Sequence, residues 1–169
     1  RLVHNSFDDF PTGEITTIFV NKNNNSNMDG IISYASSAGH NDYLLINSSD
    51  LTVYRSNHNT NSGLNIADNN FNIVTSTWNT SDDQSDNFLN GGSPVTVNPG
   101  STNEITQGGC LALGAEQDGI DANYESEQTF NGDFAELIIF NMEINPAQRK
   151  IIHNYLSSKY DIALSANDM

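Results

Sequence analysis

The acidic residues between Glu116 and Glu127 are the side chains in this sequence best placed to do chemistry. Glu116, Asp118, Asp121, Glu125 and Glu127 fall in one short stretch with no Lys or Arg among them, and Asp133 follows closely. Like charges crowded into one turn repel unless something positive sits among them. Carboxylates, amide oxygens and glycine turns are what a hard cation such as Ca²⁺ takes, at six to eight oxygens and roughly 2.3–2.6 Å. The stretch therefore predicts a calcium loop. A solvated acidic turn without metal is the plainer alternative.

Other chemistry finds little support. His4, His40, His58 and His153 belong to no recognisable nucleophile–His–acid set, no Cys/His spacing suggests zinc, and no glycine-rich phosphate loop occurs. Cys110, the single cysteine, sits beside Leu111 and Leu113 and reads as a small core residue. Glycoside hydrolysis needs two carboxylates roughly 5–5.5 Å apart, or about 6.5–9.5 Å in inverting enzymes. The strand at 134–140 offers only Glu136, which reads as structural, and Glu125 and Glu127 alternate within the loop rather than on a strand. The expectation is a protein that is not an enzyme. Asp82-Asp83-Gln84-Ser85-Asp86 reads as a solvated hairpin tip, with a further cation site the weaker alternative.

The elements that must hold the acidic loop are strands. Cys110–Leu113 leads into it and Phe134–Phe140 leads out. Further strands are predicted within residues 1–12 and at 14–20, 31–35, 43–46, 51–54, 63–66, 71–78, 87–89 and 95–97, most of them about ten residues apart. That rhythm predicts an all-β sandwich. A loop is expected over residues 36–42 and an exposed polar tract over Asn21–Asn27. Trp78 ends an alternating run and reads as core. At the end the period changes: Asn145-Pro146-Ala147-Gln148 is a helix start, and Ile151, Ile152, Tyr155, Leu156 and Tyr160 recur at helical spacing. One amphipathic helix over 146–159 should lie on the sandwich, with His153 on its surface and 161–164 leaving it.

The 169 residues suit a single domain over 1–169, and the abrupt ends read as those of a module excised from a larger protein. Twenty-six asparagines imply many turns. Six basic against twenty-one acidic residues give a formal charge of −15. That argues against nucleic acid and anionic membranes, which need a positive footprint. No apolar run approaches the ~18 residues of a membrane span, and no signal peptide opens the sequence.

Two blocks resemble a known family. Leu113-Gly114-Ala115-Glu116-Gln117-Asp118, followed by Glu125-Ser126-Glu127-Gln128-Thr129-Phe130-Asn131-Gly132-Asp133-Phe134, resembles the calcium-loop signature of the pentraxins. Upstream, the segment from Ile32 to Leu45 resembles that family's first metal loop. The segment from Gly132 to Phe140, with the helix ending Asn154-Tyr155-Leu156-Ser157-Ser158-Lys159-Tyr160, is similar to the close of bacterial laminin-G-like domains of the concanavalin A-like lectin group. The resemblance implies a jelly-roll sandwich carrying one or two Ca²⁺ ions. Asn41, Glu116, Asp118 and the Gln117 carbonyl would hold one; Glu116 and Asp118, shared, with Glu125 and Gln128 would hold the other. His40 stands where the pentraxins have an aspartate, and imidazole is a poor ligand for Ca²⁺, so Asp42 is the alternative ligand there. His40, Tyr43, Tyr124 and Glu127 are expected beside the ligand. The family's paired cysteines are absent, so an oligomer is not required. These features together imply a calcium-dependent carbohydrate- or ligand-binding module of a secreted or cell-surface bacterial adhesin. A glycan or other oxygen-rich ligand would bridge the calcium, without nucleic acid or membrane insertion. A structural spacer or protein-interaction domain with structural calcium only is the alternative, and a hydrolase-related sandwich ranks below both.

Overall fold

Runs of β-branched and aromatic residues resolve into two antiparallel sheets packed face to face. The computed structural model describes residues 1–23 and 28–165. Its strands are β1 (Leu2–Phe7), β2 (Glu14–Asn23), β3 (Gly30–Ser36), β4 (Gly39–Ile46), β5 (Thr52–Arg55), β6 (His58–Asn61), β7 (Phe71–Asn79), β8 (Ser85–Leu89), β9 (Val95–Val97), β10 (Gly109–Leu113) and β11 (Gly132–Phe140). One sheet runs β1-β10-β3-β4-β5-β6 and the other β11-β2-β7-β8-β9. The expected all-β sandwich with one C-terminal helix is the fold.

Alternation fills the space between the sheets. Ile15, Phe19, Val74 and Trp78 from the five-stranded sheet meet Ile32, Tyr34, Tyr43 and Val53 from the six-stranded one. Phe10 stacks on Tyr34 at 3.8 Å between ring centroids. The opposite face of the five-stranded sheet, through Ile18, Val20 and Ile73, packs against Leu156 of helix α1 (Pro146–Tyr160). β7 is therefore buried on both faces. Asn145 caps α1 in a reciprocal capping box with Gln148, and Pro146 opens the first turn.

Several expectations change. Arg55 and His58 pair across a two-residue turn, Ser56-Asn57, with both residues in the left-handed region. That turn matches strand twist and makes His58–Asn61 the edge strand in place of the expected one at 63–66. Residues 36–42 are not a loop: Ser36 pairs with Gly39, so His40, Asn41 and Asp42 lie on β4. Asn21 and Asn23 are buried in β2 rather than exposed. The rest of that tract, 24–27, lies outside the described residues, as do 166–169.

Burial also revises single residues. His153 faces β7 rather than solvent, with Nε2 2.8 Å from Thr75 Oγ1, because the buried stripe of α1 centres on His153 and Leu156. Ile151 and Tyr155, expected inward, are exposed. Asp83 is no solvated tip: it accepts from Trp78 Nε1 at 3.1 Å and from the Gly100 amide at 2.6 Å. Glu136 is held by Lys159 Nζ and Tyr160 Oη, both at 2.8 Å, in agreement with a structural role. Cys110 is buried, and Ile162 tucks into the core beneath the helix.

Candidate functional site

The acidic stretch leaves β10 at Gly114, whose φ of +78° turns the chain back. Gly114 and Phe130 close the neck of the loop: the Gly114 amide donates to the Ile31 carbonyl at 3.0 Å, and the Phe130 amide to the Gly114 carbonyl at 3.1 Å. Ala115 and Thr129 bridge just beyond. A β-carbon at Gly30 would lie 2.2 Å from the Glu116 amide, so only glycine lets β3 lie this close beneath the loop. The Gln117 side chain pins the next turn. Its Nε2 donates to the Ser33 and Cys110 carbonyls at 3.0 and 2.9 Å, and its Oε1 accepts from the Asp121 amide at 3.0 Å. Ser33 alternates with the core residues Ile32 and Tyr34, so the loop lies on the outer face of the six-stranded sheet.

Three side-chain oxygens here are buried without any hydrogen-bond donor: Asn41 Oδ1, Glu116 Oε2 and Gln128 Oε1. All three belong to the expected ligand set. Gln128 ends a short 3₁₀ turn, Ser126–Gln128, and its carbonyl accepts from the Glu116 amide at 3.4 Å. Asn41 stands next to His40, whose Nε2 lies 3.6 Å from Asp118 Oδ1. Glu116 is 2% exposed. Burial, reinforced by the charges of Asp118 and Glu125, pushes its carboxyl up to about 7. Buried acceptors without donors are costly, and a cation is a partner that would satisfy such oxygens. The donor set therefore suits Ca²⁺, which accepts mixed carboxylate and carboxamide oxygens. Among the described residues no three His, Cys, Asp or Glu side chains converge as a metal cluster. What the region offers is one carboxylate and two carboxamides with unpaired buried oxygens, and Asp118 and Glu125 stand near enough to act on Glu116.

The remaining expected residues divide. Asp118, Glu125 and Glu127 are all exposed in the loop. Gln117 spends its side chain on the fold, so its carbonyl is the part left for a cation. Asp42 faces inward instead of toward the loop. Its carboxylate accepts from Ser36 Oγ at 2.6 Å and the Thr106 amide at 2.8 Å, and lies 3.4 Å from Arg55 Nη1. Tyr43 is not beside the ligand either: it is fully buried, with Oη 2.9 Å from Thr17 Oγ1, because it shares the inward face of β4 with Leu45. Tyr124 is at the loop but engaged, donating to Asp121 Oδ1 at 3.1 Å beneath the Arg1 guanidinium.

An aromatic within electrostatic reach of Glu116 is Tyr54. Burial and the charge of Glu116 both raise its hydroxyl above the usual range. It sits opposite Leu44 on β5, on the outward parity. Asp121, one of the acids of the stretch, is a brace, accepting from Asn5 Nδ2 on β1 at 3.0 Å as well as from Tyr124.

Sandwich topology, the covering helix and a loop carrying unpaired oxygens define a jelly-roll domain of the laminin-G and concanavalin A-like lectin type. Within that class the chain belongs to the pentaxin family, whose profile matches residues 4–167. C-reactive protein 1.4 of Limulus polyphemus is 39% identical over 46 residues, 27% of this chain and 19% of that protein, so the match spans about a fifth of the relative's length. The native heptameric SAP-like pentraxin from Limulus polyphemus superposes with a TM-score of 0.70 at 23% identity, over 82% of this chain and 70% of that one. The mouse laminin alpha1 domains LG4-5 superpose with a TM-score of 0.62 at 12% identity, covering 85% and 40%.

Proposed function

We propose that this domain is a calcium-dependent binding module for glycans or other oxygen-rich ligands, displayed on a secreted or cell-surface protein. The supporting observation is the trio of buried, donor-less oxygens on Asn41, Glu116 and Gln128. Together with Asp118, Glu125 and the Gln117 carbonyl they would hold one or two Ca²⁺ ions. Bound calcium with open positions exchanges water for ligand hydroxyl or carboxylate oxygens. The chain's own contribution is to fix the neck at Gly114 and Phe130, bury Glu116, and present Asp118 and Glu125 outward. Membership of the pentaxin family supports a binding role over an enzymatic one.

Isothermal titration of the stripped domain with Ca²⁺ tests the reading, followed by glycan-array binding with and without EDTA. One or two sites are expected, with glycan binding abolished by chelator and by Glu116→Gln or Asp118→Asn in folded protein. Array binding indifferent to EDTA would sink the calcium-dependent reading. Calcium uptake with no glycan on any array would favour the structural-spacer alternative.

A further inference from the structure

We propose a second, metal-independent saccharide site on the opposite side of the sandwich, in the hollow at the C-terminal end of α1. Phe71 alternates with Ile73, which packs under the helix, so Phe71 projects from the outer face of the five-stranded sheet just beyond the helix end. It is 37% exposed, so one part of the ring is open to solvent. Around it lies a hollow of about 370 Å³, walled by Asp68, Asn70 and Asn90 on one side and by Tyr160 and Asp161 on the other. That volume lies within the range of small-ligand sites, roughly 300–1,000 Å³.

The chemistry of the wall is that of hydroxyl recognition. Asp68 accepts from the Asn70 amide at 3.0 Å, from Asn70 Nδ2 at 3.2 Å and from Asn72 Nδ2 at 2.8 Å. Asn90 Nδ2 in turn donates to Asn72 Oδ1 at 2.7 Å. These bonds hold the Asp68 carboxyl below its usual range, against its partial burial, so it is an acceptor at neutral pH. An ionised carboxylate has about four acceptor positions, and with three of them filled one is left for a sugar hydroxyl. The planar groups are locked before any ligand arrives, which lowers the entropic cost of binding. Phe71 supplies the apolar floor against which the C–H face of a pyranose packs. Lys22 Nζ stands 5.9 Å from the ring centroid, at the limit of a cation–π contact, so covering the ring displaces little. The site differs from the calcium loop in location, residues and metal requirement.

The test is ¹H–¹⁵N titration of the intact domain, in EDTA, with the methyl glycosides of glucose, galactose, mannose and N-acetylglucosamine. Saturable shifts at the Asn70, Phe71 and Asn90 amides are expected with at least one sugar. Phe71→Ala should weaken that binding about tenfold, the worth of a stacked ring, while Phe71→Tyr retains it. Glu116→Gln should leave it unchanged even where calcium-dependent binding is lost. Absence of saturable shifts at these amides with all four sugars would overturn the proposal, as would shifts that Phe71→Ala leaves intact.

Discussion

Glu116 is a carboxylate that the fold buries before giving it a partner, and its protonation follows from that. In the metal-free protein its carboxyl moves from 4.5 to about 7. The unfolded chain then releases this proton first, so folded stability falls as pH rises from about 4.5 to about 7 and levels off above. Calcium requires the ionised form and should reverse the trend. Thermal melts of stripped and calcium-loaded protein across that window check both signs. Glu116→Gln removes the titration. It should raise the melting point of the stripped protein at neutral pH and cancel the rise that calcium gives. At the neighbouring position, His40→Asp replaces a poor calcium ligand with a carboxylate beside Asp118. Calcium affinity should increase about tenfold by titration calorimetry, and the stripped domain should melt lower because another like charge has joined the loop.

At the scale of the element, the β4–β5 hairpin separates what the sequence shows from what it hides. Asp42 and Arg55 are both fully buried, and Arg55 lies 3.9 Å over the Trp78 ring. Burial pulls the Arg55 guanidinium down to about 10, still charged at neutral pH. Arg55→Ala would strand the Asp42 carboxylate in the core and should destabilise by roughly 3–5 kcal/mol in chemical denaturation. Calcium stoichiometry should remain unchanged. The strands of this region are legible because Tyr43, Leu45 and Val53 alternate. Which tyrosine faces the site is not, since parity depends on the register breaks between Gly30 and Ile32 and between Tyr34 and Ser36. A one-residue slip exchanges the two faces of a strand, which is how Tyr43 comes to face the core while Tyr54 feels the charge of Glu116. β6 escapes detection because His58-Asn59-Thr60-Asn61 has no apolar alternation; its position follows from the Ser56-Asn57 turn. The acids of the loop are visible in the sequence. The burial of the Asn41 and Gln128 carboxamide oxygens is not, because it arises only when β4 and the loop meet.

At the scale of the molecule, a net charge of −15 works against compactness. Added sodium chloride should therefore stabilise the stripped domain, and calcium should act at far lower concentration because it binds the loop. The two covered faces of the sandwich bear different structures: the acidic loop on the six-stranded sheet, and α1 with its adjoining hollow on the other.

The clamp between Gly114 and Phe130 has a consequence for scission. Everything exposed in the loop lies beyond it, and the flanking strands are tied separately, β10 into one sheet and β11 into the other. A glutamate-specific protease should cut the chelated protein after Glu125 or Glu127 and spare the calcium-loaded form. The larger piece carries strands of both sheets and the smaller one stays paired to it through β11 on β2, so the two should still elute together as one particle.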